Sequence, residues 1–204
     1  MLRTVKNLNK NLIKSLNLNL NDNQKLFLDR LIRVDHAGEL GANYIYSGQM
    51  YSTVKFGNKL KQDEIDLVQH MWDQEKHHLN VFNKLVKDFN VKPTSLSPLW
   101  VTAAWVMGAS TTYLGKESAM ACTEAVETVI GEHYDDQIRE LKKFEHLHPD
   151  LMKLRQICEE FRDDELEHLD TAVDHGAQQA PAHALLSSVI GCACKFGVWA
   201  AERV

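Results

Sequence analysis

The 204-residue chain is poor in residues that turn or break a backbone, with only ten glycines and four prolines. A many-stranded β fold needs more turn residues than that, so a mostly helical fold is expected. Its cysteines, Cys122, Cys158, Cys192 and Cys194, form no Cys-x-x-Cys pair. That excludes a zinc ribbon, a rubredoxin-type iron centre and a thioredoxin-like motif, and it fits a reducing compartment without a disulfide framework. No Gly-x-Gly-x-x-Gly fingerprint is present, so a Rossmann-type dinucleotide site is absent. Positive charge is not in excess either. The net charge of −5 argues against a general nucleic-acid binder.

Two further absences are local. The first 21 residues contain no acid, while carrying Arg3, Lys6, Lys10, Lys14 and a scatter of leucines. A basic, acid-free segment with amphipathic potential and no continuous apolar run reads as a mitochondrial targeting segment; the alternative is an Asn-rich disordered tail. Residues 1–21 are therefore set apart, and residues 22–204 are expected to form one domain. The stretch from Pro93 to Gly115, between Lys92 and Lys116, contains no charged residue at all.

What is present follows a helical period. Helices are expected at about 22–51, 60–90, 116–145 and 150–177, with a last one from Pro181 through Val198. The chain is rich in metal-binding residue types, with ten histidines and 28 acids, which fits an oxygen and nitrogen ligand set. A loose internal repeat organises them. Glu39 is followed by Glu75 and His78, and Glu127 by Glu165 and His168, with glutamate gaps of 36 and 38 residues. Residues three apart share a helix face, and the neighbours on these faces are apolar: Met71, Trp72, Leu79 and Phe82 in one helix, Phe161 and Leu169 in the other. Four glutamates and two histidines facing one core need cations, because a buried carboxylate without a partner costs several kcal/mol, about 3 or more. Two divalent metals balance four carboxylates and give each imidazole a metal. This is the di-iron carboxylate pattern of helical bundles. One Glu-x-x-His is a weak signal; two, each preceded by a glutamate on an apolar face, are a strong one. The plainer alternative is solvated helix faces with satisfied histidines. Glu124 competes with Glu127, one turn away. His77, Glu132 and Glu167 fall off the inward face, His36 reads as a hydrogen-bonded helix histidine, and Asp164 is placed to orient a ligand imidazole.

The runs LDRLIRVDHAGELGANYIYSGQM (28–50), MWDQEKHHLNVFNKL (71–85), PLWVTAAWVMGASTTYLGKESAMACTEAVETVIGEHYDDQIREL (98–141) and FRDDELEHLDTAVDHGA (161–177) resemble the 5-demethoxyubiquinone hydroxylase family over about residues 26–204. The resemblance implies an all-α, ferritin-like four-helix bundle with additional apolar helices for membrane or partner docking. It implies a di-iron monooxygenase that uses O₂ to hydroxylate the ring of a demethoxyubiquinone or demethoxyubiquinol, in the penultimate steps of ubiquinone synthesis. Carried over position by position, the iron ligands are Glu39, Glu75, His78, Glu127, Glu165 and His168, the same six that the spacing selects; Glu124 is set aside. By analogy with ferritin-like sites, Glu75 and Glu165 bridge two irons, and Glu39 and Glu127 are terminal. The resemblance further implies NADH or the quinol as electron source, a polyprenyl quinone substrate, a lipid-binding partner and other proteins of the ubiquinone-synthesis complex. It places the chain peripherally on the matrix side of the mitochondrial inner membrane.

The uncharged 93–115 stretch, with Trp100 and Trp105, and the apolar 180–200 segment suit contact with a membrane surface. Both are expected to embed rather than span, the last helix being apolar only from about Ala180 to Cys194. Other activities of ferritin-like proteins compete with the hydroxylase: ferroxidase, peroxidase or manganese catalase. The six ligands alone do not separate them, since they accept iron and manganese alike; the charge-free stretch favours the hydroxylase. A non-catalytic helical scaffold would gain no stability from six inward polar residues.

Overall fold

The computed structural model describes residues 20–56 and 60–204; the expected targeting segment lies outside them, apart from its last two residues. Six helices follow in order: α1 (Asp22–Phe56), α2 (Gln62–Asp88), α3 (Ser97–Leu114), α4 (Lys116–Lys142), α5 (Pro149–Asp174) and α6 (His183–Ala201). Short 3₁₀ turns precede α5 and α6, and there is no strand among the described residues. The fold begins slightly before the boundary drawn from charge. Leu20 is buried in the core. Asn21 caps α1, its Oδ1 accepting from Gln24 N at 3.0 Å while Gln24 Oε1 accepts from Asn21 N at 2.9 Å. Charge does not report burial, so the absence of acids could not locate this edge.

Helices α1, α2, α4 and α5 form the bundle. At one end Leu28, Ile32, Phe82, Leu85, Tyr134, Leu141, Leu154 and Phe161 pack together; at the other, Tyr46, Val68, Met71, Met120 and Ala172 do so. In each bundle helix the expected metal ligands lie between these two apolar clusters. The polar layer is thus held by burial at both ends, each large apolar side chain contributing about 1.5–3 kcal/mol.

Helices α3 and α6 flank the bundle against α1 and α4. The uncharged stretch is therefore mostly helix. It lies very close to α1: a Cβ on Gly48 would fall 2.2 Å from Trp105 O, and one on Gly108 2.0 Å from Ile45 O. Gly115, at φ +136°, makes the one-residue joint into α4, a conformation that a side chain disfavours. The last helix runs 19 residues, His183–Ala201, and ends three residues beyond the expected Val198. By length and composition alone it suffices to cross a membrane, which corrects the expectation that it is too short. Lys195 ends the apolar run in the sequence, but its side chain lies outward and the helix continues. Both flanking helices carry exposed apolar residues: Leu99, Val106, Tyr113 and Leu114 on α3, and Leu185, Val189, Phe196 and Trp199 on α6.

Candidate metal centre

All six expected ligands are buried, none more than 2% exposed. Glu75 and His78 come from one face of α2, Glu165 and His168 from one face of α5, Glu39 from α1 and Glu127 from α4. Their ligating atoms fall into two groups, Glu39–Glu75–His78–Glu165 and Glu75–Glu127–Glu165–His168, each with all atoms within 4.8 Å of one another. Glu75 and Glu165 belong to both. His78 Nδ1 lies 3.4 Å from Glu39 Oε2 and 3.2 Å from Glu165 Oε1; His168 Nδ1 lies 3.3 Å from Glu75 Oε1 and 3.2 Å from Glu165 Oε2. Both histidines thus turn Nδ1 inward, and the His78 ring is fixed by stacking on Phe161 at 3.9 Å.

The centre is chemically incomplete as a purely protein cluster. Glu39 Oε2, both oxygens of Glu75, Glu127 Oε2 and His78 Nδ1 are buried without a hydrogen-bond partner. Buried polar atoms are rarely left so, and a divalent cation in each group would satisfy them. The donor set, carboxylate oxygen and imidazole nitrogen, suits iron or manganese. Electrostatics give the same picture. Burial, then the carboxylates around it, pushes Glu75 and Glu127 well above the usual carboxylate range, and burial raises Glu39. Glu165 is also buried, but the imidazoles of His168 and His78 beside it outweigh that and hold it down at about 2. For His78, burial is outweighed by Asp164, Glu165 and Glu39, which raise it well above the usual imidazole value.

A second layer of side chains supports the expected ligands, and it is crossed between the two halves. His78 Nε2 meets Asp164 Oδ2 at 3.0 Å, as the sequence led us to expect, and His168 Nε2 meets Gln74 Oε1 at 3.1 Å. Tyr134 donates to Glu39 and Tyr46 donates to Glu127, the latter at 3.3 Å. The sequence reading missed Gln74 and both tyrosines in these roles. A signal was available: Gln74 and Asp164 each precede a shared glutamate, and each tyrosine follows a terminal glutamate by seven residues. Seven residues are two helical turns, hence the same face.

Other residues take the positions expected of them. Glu124 belongs to neither group and binds His183 at 2.5 Å, tying α6 to α4. His36 pairs with Asn83 at 3.1 Å. His77, Glu132 and Glu167 are exposed.

A cavity of about 240 Å³ opens beside the cluster, between α1, α3, α4 and α6. Its walls are apolar, with Ala42, Ile45, Trp100, Met107, Ile130 and Phe196 among them, and it reaches the cluster at Glu39 and Tyr134. His133 stands on its wall, tied to buried Asp35 at 3.5 Å and to Gln137 at 2.8 Å. These polar residues carried no spacing signal in the sequence.

Residues 26–201 match the family described as ubiquinone biosynthesis protein COQ7. The chain belongs to that family. It is 45% identical over 195 residues to the mitochondrial 5-demethoxyubiquinone hydroxylase of Saccharomyces cerevisiae, a match covering 91% of this chain and 82% of the relative. It is likewise 45% identical over 197 residues to the human mitochondrial NADPH-dependent 3-demethoxyubiquinone 3-hydroxylase, covering 94% and 84%. A bacterial relative, the 3-demethoxyubiquinol 3-hydroxylase of Rhodospirillum rubrum, is 41% identical over 177 residues, covering 87% and 78%. As a COQ7-family chain, this one keeps its buried carboxylates and histidines within a fold whose apolar cavity meets them from one side.

Proposed function

We infer that this chain hydroxylates the ring of a demethoxyubiquinone or demethoxyubiquinol, using O₂, in ubiquinone biosynthesis. The observation that carries the chemical side of this is the apolar cavity ending on Glu39 and Tyr134. A benzoquinone ring with a hydrocarbon tail is the kind of ligand that such walls accept. On the other activities open to this frame, ferroxidase, peroxidase or manganese catalase, the cavity has no occupant.

Six residues hold two cations, which we take to be iron. Glu39 and His78 serve one position, Glu127 and His168 the other, and Glu75 and Glu165 are shared. Bound there, iron supplies the redox chemistry with O₂ that side chains lack. The protein's part is placement and exclusion. Tyr134 fixes Glu39 at the cavity end, Asp164 and Gln74 fix the imidazoles, and the apolar walls keep water from the ring. Hydroxylation with O₂ needs two external electrons. The human relative is named NADPH-dependent, and we take a reduced nicotinamide nucleotide, or the quinol itself, as the source here.

The polyprenyl tail of the substrate lies in a bilayer. We place the chain in the mitochondrion, where the yeast and human relatives are named as residing, peripherally on the matrix side of the inner membrane. The exposed apolar residues of α3 and α6 form its contact surface, and the same surface serves a lipid-binding partner and the ubiquinone-synthesis complex. We take the chain from Leu20 onward as a single catalytic domain, and the basic stretch before it as a targeting segment.

The test is to incubate iron-loaded, reduced protein with a demethoxyquinone and isotopically heavy O₂ and to weigh the product. One heavy oxygen atom in the quinone is expected. Oxygen consumption with an unchanged quinone would overturn the assignment.

A further inference from the structure

The two halves of the centre correspond residue for residue, with one break. Glu39 answers to Glu127, Glu75 to Glu165, His78 to His168, and Tyr46 to Tyr134. The residue before each shared glutamate completes the series, and here the halves differ: Gln74 in α2, Asp164 in α5. Because the supports are crossed, Asp164 serves His78 and Gln74 serves His168. We propose that the two cation positions are inequivalent, and that the one served by Glu39 and His78 binds its cation first and more tightly. This rests on the two-cation reading above.

The physical reason is the charge behind each imidazole. Both rings present Nδ1 to the cluster and Nε2 to the second layer. A carboxylate accepting from Nε2–H draws the proton toward itself and makes Nδ1 a better donor; an amide oxygen does so more weakly. The carboxylate also adds a negative charge on one side of the centre only. Each terminal glutamate accepts from one tyrosine; the halves differ further in that His78 Nδ1 lies against the terminal Glu39, whereas His168 Nδ1 lies against the shared Glu75. The bond from Tyr134 draws some donor strength from Glu39. It is a neutral hydroxyl, however, and acts against a full charge at Asp164. The site thus favoured is also the one that touches the apolar cavity, since Glu39 lines it and Glu127 does not. The position facing the substrate is therefore the first to be occupied.

Cobalt(II) is a suitable probe, added to the metal-free full-length chain. Wild-type protein crystallised with one equivalent should show anomalous density at the Glu39–His78 position, and equal density at both positions overturns the proposal. In solution, two separate binding steps are expected. Asp164→Asn should weaken the first by about 10–100-fold, the usual range for such partners, and move the one-equivalent density toward Glu127 and His168. Gln74→Glu should draw the two steps together. Equal weakening of both steps by Asp164→Asn would overturn the proposal, and melting of each metal-free variant shows whether it folds. Should Asp164→Asn not fold, the wild-type density and Gln74→Glu still decide. Failure to bind two cations per chain at all would overturn the two-cation reading itself, a result distinct from two equal sites.

Discussion

Replacing Gly108 by alanine tests how α3 is held against the bundle. The new Cβ would lie 2.0 Å from Ile45 O, 2.7 Å from its carbonyl carbon and 3.0 Å from its Cα, all backbone atoms. Carbon atoms pack at about 3.5–4.0 Å, so one helix must move away from the other by about 1 Å or more. Overpacking of this kind costs about 1–3 kcal/mol, and rigid backbone on the receiving side places Gly108→Ala near 3. Alanine's better helix propensity returns about 1 kcal/mol, leaving a net loss of about 2 kcal/mol. For a chain of this length each kcal/mol shifts Tm by about 2–4 °C, so a fall of about 4–8 °C is expected. Gly41→Ala is the control, because nothing lies within 4 Å of its Cβ; there only the propensity gain remains, and Tm should rise by about 2–4 °C. The assay is thermal unfolding of the full chain at fixed cation concentration, since bound metal raises Tm by mass action. Quinone turnover is measured in parallel. Gly108→Ala should change turnover because Trp100 and Met107 on α3 wall the cavity. A rise in Tm for Gly108→Ala matching that of Gly41→Ala would refute the close crossing.

Further outcomes concern the centre and its surroundings. Glu75→Gln removes a charge from both cation groups, so it should lower metal content at both positions, read by elemental analysis, whereas Glu124→Gln should leave the content unchanged. Folded-state values of Glu75, Glu127, Glu39 and His78 are raised, so the folded, metal-free protein holds extra protons. Their contribution to stability is full below the unfolded values and is lost as pH rises through the raised ones. Glu165 has the opposite sign, but only below its ordinary value. Metal-free protein should therefore melt higher at about pH 5.5 than at about pH 8, and loading with cations should abolish the difference. Ala193 lines the cavity and is exposed; Ala193→Phe should raise the quinone KM at least several-fold, about 5-fold, by narrowing an apolar pocket, with metal content and Tm unchanged. Val106→Glu together with Leu185→Glu should abolish co-sedimentation with anionic vesicles while leaving helical content intact, and unchanged sedimentation would count against the membrane surface.

Much of this protein is written locally. Helix identity follows from apolar period, few breakers and caps, and each of these acts within a turn or two of chain. The six centre residues were legible for the same reason: a ligand pair three apart must share a face whatever the rest of the fold does. The repeat of that pair, each time after a glutamate, gave the two halves. Other features were not legible because they arise between helices. Gln74 supports the other half's histidine, and Tyr46 and Tyr134 support the other half's glutamates; no spacing states a crossing. His133 and Asp35 meet across α4 and α1. The apolar extent of α6 was undercounted at Lys195, whose charge interrupts an apolar run but costs a helix little when the side chain points outward. The cavity exists only because α3 and α6 stand against α1 and α4. Periodicity along a chain fixes which face of a helix is apolar; which helix covers that face, and what space is left between them, is settled by three-dimensional packing.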